Sequence, residues 1–315
     1  MRIALITPYL PAARNGNANT ALRWARCLRA AGHRVTMALE WDGADCELMV
    51  ALHARRSAAS IRRFAEAHPG RPLIVVLTGT DLYRDIRSDV AAQRSLQLAT
   101  RLVVLQENGP DELAPEYRAK ARVIYQSAPR LKPAPRPQRH FEVSVVAHLR
   151  EEKDPLRAAY AAALLPVDSR IRIRHIGQVL SPEWAAEAER CAQATPRWQW
   201  LGMRGHGETR RRIARSHLLV NSSQMEGGAI VVLEAITAGV PVLASGIPGN
   251  VGMLGLDYAG YFPLGDEAAL AALLRRAETE PGFYALLQQQ CAARAPLFEP
   301  ALECAAIDKL INEAT

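Results

Sequence analysis

The sequence has no apolar run that reaches the roughly 18 residues of a membrane-spanning helix. Its opening residues, MRIALITPYLP, enter a predicted strand at once and have neither the length nor the small-residue cleavage site of a signal peptide. We therefore expect a protein without an integral membrane segment, and we expect it in the cytoplasm.

Cysteine is scarce, and its spacing shows no motif. The five cysteines are odd in number, lie far apart and form no C-x-x-C pair (Cys27, Cys46, Cys191, Cys291 and Cys304). This pattern predicts neither a disulfide framework nor a thiolate metal site, and we expect all five to be small core residues. No D-x-D carboxylate pair is present, and no cluster of histidine, cysteine and aspartate has the spacing of metal ligands. We expect no metal and no other cofactor.

The sequence also lacks the signatures of two large functional classes. Its formal net charge is +7, but the arginines are scattered and no basic motif is interleaved with aromatic residues, so we expect no nucleic-acid partner. An anionic small substrate accounts for the charge equally well. No G-x-G-x-x-G follows the first predicted strand with an acidic residue about twenty positions later, which argues against a Rossmann dehydrogenase.

What is present is an ordinary globular composition, with 49% hydrophobic and 23% charged residues over 315 positions. That length suffices for two domains that each bury a core. Apolar runs alternate with amphipathic helices and predict an α/β fold, with one domain over residues 1–130 and a second over 140–295. The segment between them, Pro129 to Arg139, has four prolines, four cations and no acid, and we expect a stiff linker there.

Two further helices are predicted, one in each domain. In the first domain a helix is expected near Pro110 to Lys120, before the last strand. In the second domain the helix from Gly205 to Arg215 is strongly basic, and we expect its cations to form a solvated face.

The chain is organised around the stretch from Asn221 to Asn250, NSSQMEGGAIVVLEAITAGVPVLASGIPGN. The apolar run just before it predicts a buried strand, and Gly227 and Gly228 are predicted to open an apolar helix that ends at Gly239. A strand, a glycine turn and a helix present backbone N–H groups and the positive end of a helix dipole. Such groups can meet a phosphate or a sugar oxygen.

Two carboxylates, Glu226 and Glu234, frame this predicted helix. Eight residues of helix correspond to a rise of roughly 12 Å. That separation suits the two ends of a nucleotide sugar, because one carboxylate can bind hexose hydroxyls and the other the ribose diol. Two solvated acids on an ordinary αβ unit are the alternative.

The same residues resemble the E-x7-E region of the GT-B glycosyltransferases related to glycogen and sucrose synthases. That region commonly has the pattern E-G-F-G-x4-E-A-x-A-x-G-x-P-V, and here it is EGGAIVVLEAITAGVPV. The resemblance extends over nearly the whole chain. It implies two Rossmann-like domains facing each other across a cleft, with the C-terminal helix, about residues 296–315, crossing back onto the first domain.

In this family the first glutamate and the backbone N–H groups after it hold the donor hexose, and the second glutamate holds the nucleotide ribose. A loop after the first strand carries paired glycines in relatives, and one glycine remains there in this chain. The resemblance therefore implies donor binding by Gly16, Glu226, Gly227, Gly228, Ala229 and Glu234.

The family motif G-R-L-x-x-x-K, whose arginine and lysine hold the donor diphosphate, corresponds here to AHLREEK. Lys153 matches the lysine, and His148 stands at the arginine position. A histidine with an ordinary pKa of about 6.5 is mostly neutral at pH 7, so we expect Arg150 to supply the fixed charge. The resemblance implies that these three residues and Glu226 act in catalysis, with Lys153 also binding the donor. For the three basic residues, solvated positions are the alternative.

Three segments depart from the family on the side expected to bind the acceptor. The loop after the first strand has one cation and three amides, at the edge where open α/β sheets bind ligands. TGTD replaces the family's H-G-x-D, and IPGN stands where G-G-x-x-E is usual. The predicted acceptor-binding residues are Arg14, Asn15, Asn17, Asn19, Thr78, Gly79, Asp81 and Asn250. Helix capping by an asparagine and turn capping by Asp81 are the alternatives.

These departures resemble a narrower group within the family, the selenosugar synthases of selenoneine biosynthesis. That resemblance implies transfer of a hexose, glucose or N-acetylglucosamine, from a UDP-sugar to selenophosphate. A conventional glycosyltransferase with a hydroxyl acceptor and a nucleotide-sugar-binding protein without catalysis are the alternatives.

Overall fold

Short apolar runs that end at polar or glycine residues form two separate parallel sheets. The computed structural model describes residues 1–10, 16–131 and 134–315. Its strands are β1 (Arg2–Ile6), β2 (Arg34–Ala38), β3 (Leu48–Leu52), β4 (Leu73–Val76), β5 (Arg101–Val104), β6 (Ala121–Val123), β7 (Phe141–Val146), β8 (Ile171–Ile176), β9 (Trp198–Trp200), β10 (Leu218–Asn221), β11 (Val242–Ser245) and β12 (Tyr261–Phe262).

Helices follow most of these strands. They are α1 (Gly16–Ala30), α2 (Ala58–Ala67), α3 (Ile86–Ser88), α4 (Val90–Leu98), α5 (Pro115–Arg118), α6 (Arg157–Ala163), α7 (Pro182–Ala194), α8 (His206–Arg215), α9 (Ile230–Thr237), α10 (Pro248–Leu254), α11 (Glu267–Thr279), α12 (Pro281–Arg294) and α13 (Pro300–Ala314). Within the described residues, none of these helices has the length and apolarity needed to cross a membrane.

The chain divides into two units, each with its own sheet. Unit 1 comprises Met1–Ser127, Glu226–Gly228 and Glu299–Thr315, and unit 2 comprises Ala128–Met225 and Ala229–Phe298. Three residues of the glycine turn therefore group with unit 1, although the strand before them and the helix after them belong to unit 2. The predicted α/β class, with two Rossmann-like sheets, is confirmed.

The sheet of unit 1 has the order β2-β1-β3-β4-β5-β6, with every neighbouring pair parallel. Its two faces are both buried, which is why its strands are almost continuously apolar. Along β1, Ile3 and Leu5 face α1 and α13, while Ala4 and Ile6 face the side of α2 and α4. The strand order reverses between β1 and β3.

Cys27 and Cys304 form a disulfide between α1 and α13, so the prediction of five unpaired core cysteines is wrong for these two. They are 277 residues apart in sequence, and only the packing of α13 against α1 brings their Cα atoms to 5.1 Å. The other three cysteines, Cys46, Cys191 and Cys291, are free and buried, as predicted.

The sheet of unit 2 has the order β12-β11-β10-β7-β8-β9, again with all neighbours parallel. The order reverses between β7 and β10. Ligands of open α/β sheets bind beyond the carboxyl ends of the strands at such a reversal. The loops that come after β7 and β10 are thus the part of unit 2 where a ligand is expected.

The predicted helix near Pro110 to Lys120 is instead two short turns, a 3-10 turn over Gly109–Glu112 and α5. The reason is local. Ala114 precedes Pro115, and a residue before proline is pushed out of the helical region. Ala114 accordingly has ψ 146°.

The segment expected to be a linker is held on unit 2. Arg136 donates to the hydroxyl of Tyr284 at 2.8 Å and to the carbonyl of Gly239 at 2.9 Å. A cation in a proline-rich stretch thus anchors that stretch to the unit that comes after it.

Candidate functional site

The helix after the glycine turn starts later than the sequence predicted. α9 begins at Ile230, and Ala229 precedes it with a non-helical backbone. Glu226 to Gly228 therefore lie in an irregular turn, and the continuous helical rise predicted between Glu226 and Glu234 is wrong. The paired glycines tolerate the irregular backbone of this turn, and the helix begins only at the β-branched residues that follow them.

Gly227 and Gly228 lie where a side chain cannot fit. A Cβ at Gly227 would lie 2.5 Å from the carbonyl carbon and oxygen of Thr78, and a Cβ at Gly228 would lie 2.8 Å from the Cβ of Leu105. The Gln126 amide also donates to the carbonyl of Gly228 at 3.4 Å. These contacts all lie within unit 1. The predicted donor glycine Gly227 and the predicted acceptor residue Thr78 are thus in direct backbone contact.

Glu226 is buried, with 8% of its surface exposed. Burial raises the pKa of Tyr83, and the negative charges of Glu112 and Glu226 raise it further. The carboxylate of Glu226, at the start of the glycine turn, therefore acts electrostatically on the Tyr83 hydroxyl, and its role with a hexose stays a prediction.

The loop after β7 carries Lys153, and the loop after β10 holds it in place. The hydroxyl of Ser222 donates to the carbonyls of Lys153, at 3.3 Å, and Asp154, at 2.8 Å. The backbone N–H of Gln224 donates to the carbonyl of Glu152 at 2.9 Å. Lys153 therefore lies at the reversal of the unit 2 sheet, on a loop fixed to the segment that leads into the glycine turn.

His148 and Arg150 belong to the same loop. Burial, together with the positive charges of Arg150 and Lys153, lowers the pKa of His148. Its Nδ1 accepts a hydrogen bond from the backbone N–H of Gln178 at 3.1 Å. Both facts agree with a histidine that is neutral at pH 7, which leaves Arg150 and Lys153 as the fixed positive charges of the loop.

Glu234 is held by two basic residues of α8. Its side chain is only 4% exposed, and its Oε1 lies 2.6 Å from Nε2 of His206 and 3.5 Å from Nε of Arg210. No described residue donates to Oε2. One oxygen of Glu234 is thus anchored by protein, while the other can accept from the vicinal hydroxyls of a sugar.

The turn after β4 is built around Asp81, which is fully buried. Its Oδ1 accepts from the backbone N–H groups of Thr78, at 2.9 Å, and Gly79, at 3.0 Å, and its Oδ2 accepts from that of Ala54 at 2.9 Å. Asp81 thus has the turn-capping role that was the alternative to direct acceptor binding. The hydroxyl of Thr78 also points to Oδ1, at 3.4 Å.

The other predicted acceptor residues are scattered. Arg14 and Asn15 lie outside the described residues. Asn17 and Asn19 lie in the first turn of α1 and are half-buried, and the predicted donor residue Gly16, in the same turn, is exposed. Asn250 is fully buried in α10, where its amide nitrogen donates to the carbonyl of Ser245 at 3.0 Å. That amide supports the turn after β11 and does not face solvent, contrary to what its sequence position suggested.

A cavity of about 450 Å³ lies elsewhere in unit 2, between β8, α7 and β9. Its lining includes Arg172, Arg174, Trp198 and Trp200 and no predicted site residue. The candidate site is instead at the sheet reversal of unit 2, where the loop that carries Lys153 is hydrogen-bonded to the loop after β10. Across residues 1–10, 16–131 and 134–315, no group of three or more His, Cys, Asp or Glu side chains is arranged to hold a metal ion.

Comparison with known proteins identifies the family. The model of the family Glycosyl transferases group 1 matches residues 131–296, more than half of the chain. The chain belongs to the glycosyl transferases group 1. Glycosyltransferase 1 domain-containing protein 1 of Xenopus tropicalis is 25% identical over 302 residues, which cover 85% of this chain and 86% of that protein.

Solved structures share the fold of this glycosyltransferase. The Anabaena protein Alr3699/HepE, in complex with UDP-glucose, matches with a TM-score of 0.80 at 14% identity, over 99% of this chain and 100% of that one. Sucrose-phosphate synthase from Thermosynechococcus elongatus matches with a TM-score of 0.79 at 16% identity, over 99% and 98%. At these identities the likeness shows the fold, and the GT-B class predicted for the glycosyltransferase is confirmed.

Sequence reasoning missed the two residues that anchor Glu234 in this glycosyltransferase. The basic helix α8 was predicted to have a solvated face, but the Arg210 side chain is only 12% exposed and pairs with Glu234. The prediction is wrong for this cation. The available signal was the spacing, because His206 and Arg210 are four residues apart and therefore lie on one face of the helix.

We expect Glu234→Ala to weaken UDP binding about ten- to a hundredfold, because a charge-assisted hydrogen bond contributes about 1.5 to 3 kcal/mol. Glu234→Gln keeps the volume of the side chain and an oxygen that can accept from Arg210, so it is expected to show a smaller loss. Calorimetric titration with UDP measures both.

Glu208→Ala, on the exposed side of α8, is the matched control and is expected to bind UDP as the wild type does. An unchanged dissociation constant in folded Glu234→Ala would place the ribose elsewhere.

Proposed function

We propose that this glycosyltransferase moves a hexose from a UDP-sugar to selenophosphate and forms a carbon–selenium bond. The UDP-sugar donor is supported by the environment of Glu234. This buried carboxylate is anchored at Oε1 by His206 and Arg210, and its Oε2 is available to a ribose diol. The Anabaena protein of the same fold binds UDP and glucose, which supports a UDP-sugar as donor.

Lys153 is proposed to hold the donor diphosphate. It lies on a loop at the sheet reversal, and Arg150 stands close enough for both charges to lower the pKa of His148. As the glycosidic bond breaks, negative charge grows on the departing diphosphate, and a preorganised cation stabilises that charge. We propose that no metal and no other cofactor is needed, because these cations take the role of a Lewis acid.

Glu226 and the glycine turn are proposed to hold the hexose. Backbone N–H groups of Gly227, Gly228 and Ala229 can donate to its hydroxyls, while the Glu226 carboxylate accepts from them. The tight contacts at both glycines support this role, since a side chain at either position would force a shift of the turn whose N–H groups are proposed to donate.

The residues of the turn after β4 support selenophosphate as the acceptor. A hydroxyl acceptor must lose its proton as it attacks, and a base is needed to take it. Relatives have a histidine where this chain has Thr78, whose hydroxyl is turned toward the buried Asp81 carboxylate. Selenophosphate arrives already anionic and needs no base.

The bond changes balance without a redox partner. A selenium lone pair attacks the anomeric carbon, the carbon–oxygen bond to the diphosphate breaks, and UDP leaves with that electron pair. The product is a selenosugar phosphate, and addition of water across its P–Se bond would give a sugar selenol and phosphate.

Transfer to a hydroxyl acceptor is the second candidate, and His53 is the residue to consider as its base. This histidine is buried beside the turn after β4, and imidazole is the commonest general base in enzymes. Both of its ring nitrogens are however engaged by protein groups, so it has no free nitrogen for a substrate proton.

The test is incubation with UDP-glucose or UDP-N-acetylglucosamine and selenophosphate, followed by mass spectrometry. We expect UDP release together with a sugar product that carries the selenium isotope pattern. If UDP appears only with hydroxyl acceptors, the conventional reaction is correct. If UDP-sugar binds and nothing is turned over with any acceptor, the chain is a binding protein.

A further inference from the structure

His53 stands at the place where the strand order of unit 1 reverses. It comes directly after β3, and β3 is the neighbour of β1 across that reversal. Its backbone φ is +72°, a conformation that few residues other than glycine adopt, and its side chain is only 3% exposed. A strained, buried residue at a sheet reversal requires a functional explanation.

The hydrogen bonds of His53 assign its tautomer. Nδ1 accepts from the backbone N–H of Arg56 at 3.3 Å, so in the neutral ring the hydrogen is on Nε2. Nε2 lies 3.1 Å from Oγ1 of Thr80. The nearest carboxylate oxygen to Nε2, on Asp85, is 4.0 Å away, beyond hydrogen-bond distance. His53 therefore donates to Thr80.

This bond decides what the Thr80 hydroxyl can do. Because Oγ1 accepts from His53, its own hydrogen points away from the imidazole. Within the described part of the chain, His53 is the only side chain that bonds to this hydroxyl. Thr80 is half-buried, at the edge of unit 1 where a ligand is expected, so it presents a hydrogen-bond donor there.

Asp81 keeps this arrangement rigid. Its carboxylate binds the N–H groups of Ala54 on one side and of Thr78 and Gly79 on the other. These hydrogen bonds join the segment after β3, which contains His53, to the segment after β4, which contains Thr80. The donor hydroxyl has a fixed position before any ligand arrives.

Positive charge lies at the same edge of unit 1, on Arg56, whose backbone N–H donates to His53. Arg56 donates to the hydroxyl of Tyr9, and its guanidinium lies 5.2 Å over the Tyr9 ring, which places it between the ends of β1 and β3. No carboxylate of the described residues lies within 4.0 Å of Arg56. Its neighbour Arg55, by contrast, is paired with Asp85 and Asp89.

We propose that Thr80 and Arg56 bind the oxygens of an anionic, phosphate-like acceptor, and that His53 is the positioning residue that makes Thr80 a donor. This rests on the proposed function, in which the acceptor is selenophosphate. A site that offers donors and a cation suits an oxyanion and leaves the soft nucleophilic atom free to attack.

The experiment uses thiophosphate, a stable analogue of the same charge and shape. Binding to the full-length protein is followed by ³¹P NMR in saturating UDP, which fills the donor site and has separate resonances. We expect Thr80→Val to weaken thiophosphate binding about ten- to a hundredfold, because it loses one charge-assisted hydrogen bond, while Thr80→Ser stays within about twofold of the wild type. Thr36→Val, on exposed β2, is the matched control.

The histidine is tested with His53→Asn. Asparagine tolerates a positive φ, but its side chain is too short to reach Thr80. We expect His53→Asn to weaken thiophosphate binding about two- to fivefold. Adding His53→Asn to Thr80→Val is expected to cause no further loss of affinity, since both changes remove the same hydrogen-bond donor. UDP affinity is expected to stay unchanged in every variant.

The outcomes separate this inference from the proposed function. Thiophosphate binding that is absent in the wild type, or equal in Thr80→Val, overturns the inference. Additive losses of affinity in the double variant overturn the role of His53. If His53→Asn does not fold, the comparison of Thr80→Val with Thr80→Ser tests the inference. Normal thiophosphate binding without a selenosugar product overturns the proposed function alone.

Discussion

Lys153→Ala is expected to lower kcat about 10²- to 10³-fold, the loss typical of removing one preorganised group that stabilises transition-state charge. UDP-sugar binding is expected to weaken much less. The diphosphate carries more charge in the transition state than in the bound donor, and only interactions that strengthen in the transition state raise the chemical rate. Steady-state kinetics with a saturating acceptor measure both effects.

Lys309→Ala removes an exposed lysine of α13 and is the matched control for the loss of one positive charge. In parallel, EDTA is expected to leave the rate of the wild type unchanged. A loss of activity in EDTA that magnesium or manganese restores would contradict the metal-free mechanism. A Lys153→Ala defect confined to KM would show that the lysine only binds the ground state.

Breaking the disulfide is the second change with a large expected effect. The double variant Cys27→Ser/Cys304→Ser is expected to lower the free energy of unfolding by about 2 to 4 kcal/mol, because the cross-link restricts the unfolded chain. The fold itself should persist. Glu303, beside Cys304, remains docked through Arg23 at 3.1 Å and through the backbone N–H of Ser127 at 3.0 Å.

Thermal unfolding with and without dithiothreitol checks this prediction. The reductant is expected to lower the Tm of the wild type. It should not change the Tm of the double variant, which is therefore the control for other effects of the reductant. Equal melting of oxidised and reduced wild type would show that the docking of α13 does not depend on the cross-link.

Local sequence patterns were sufficient for the sheets and for the order of strand, turn and helix at the candidate site. A parallel strand buried on both faces needs a continuous apolar run, and such runs are visible without knowing their neighbours. The same holds for the strand, the turn and the helix around Glu226, Gly227 and Glu234, because these three elements are consecutive in the chain. The neutral state of His148 could also be predicted from its residue type and its basic neighbours.

Local patterns failed where a residue's environment comes from another part of the chain. Arg210 looked solvated because its helix is basic, yet Glu234 of α9 lies beside it. His53 carried no motif, and its bond to Thr80 exists because β3 and β4 are adjacent in the sheet. Asn250 was predicted to bind the acceptor, but it is buried in α10 and its amide nitrogen donates to the carbonyl of Ser245.

By itself, the sequence of this glycosyltransferase determined which segments form strands, where the glycine turn lies and that Glu226 and Glu234 stand on either side of that turn's exit into a helix. Those features depend on the period and spacing of neighbouring residues. Only the tertiary structure decided that Cys27 meets Cys304, that α9 begins at Ile230, and which side chains anchor Glu234 and Thr80. Such contacts join residues far apart in the chain, and their geometry arises when helices and strands pack together.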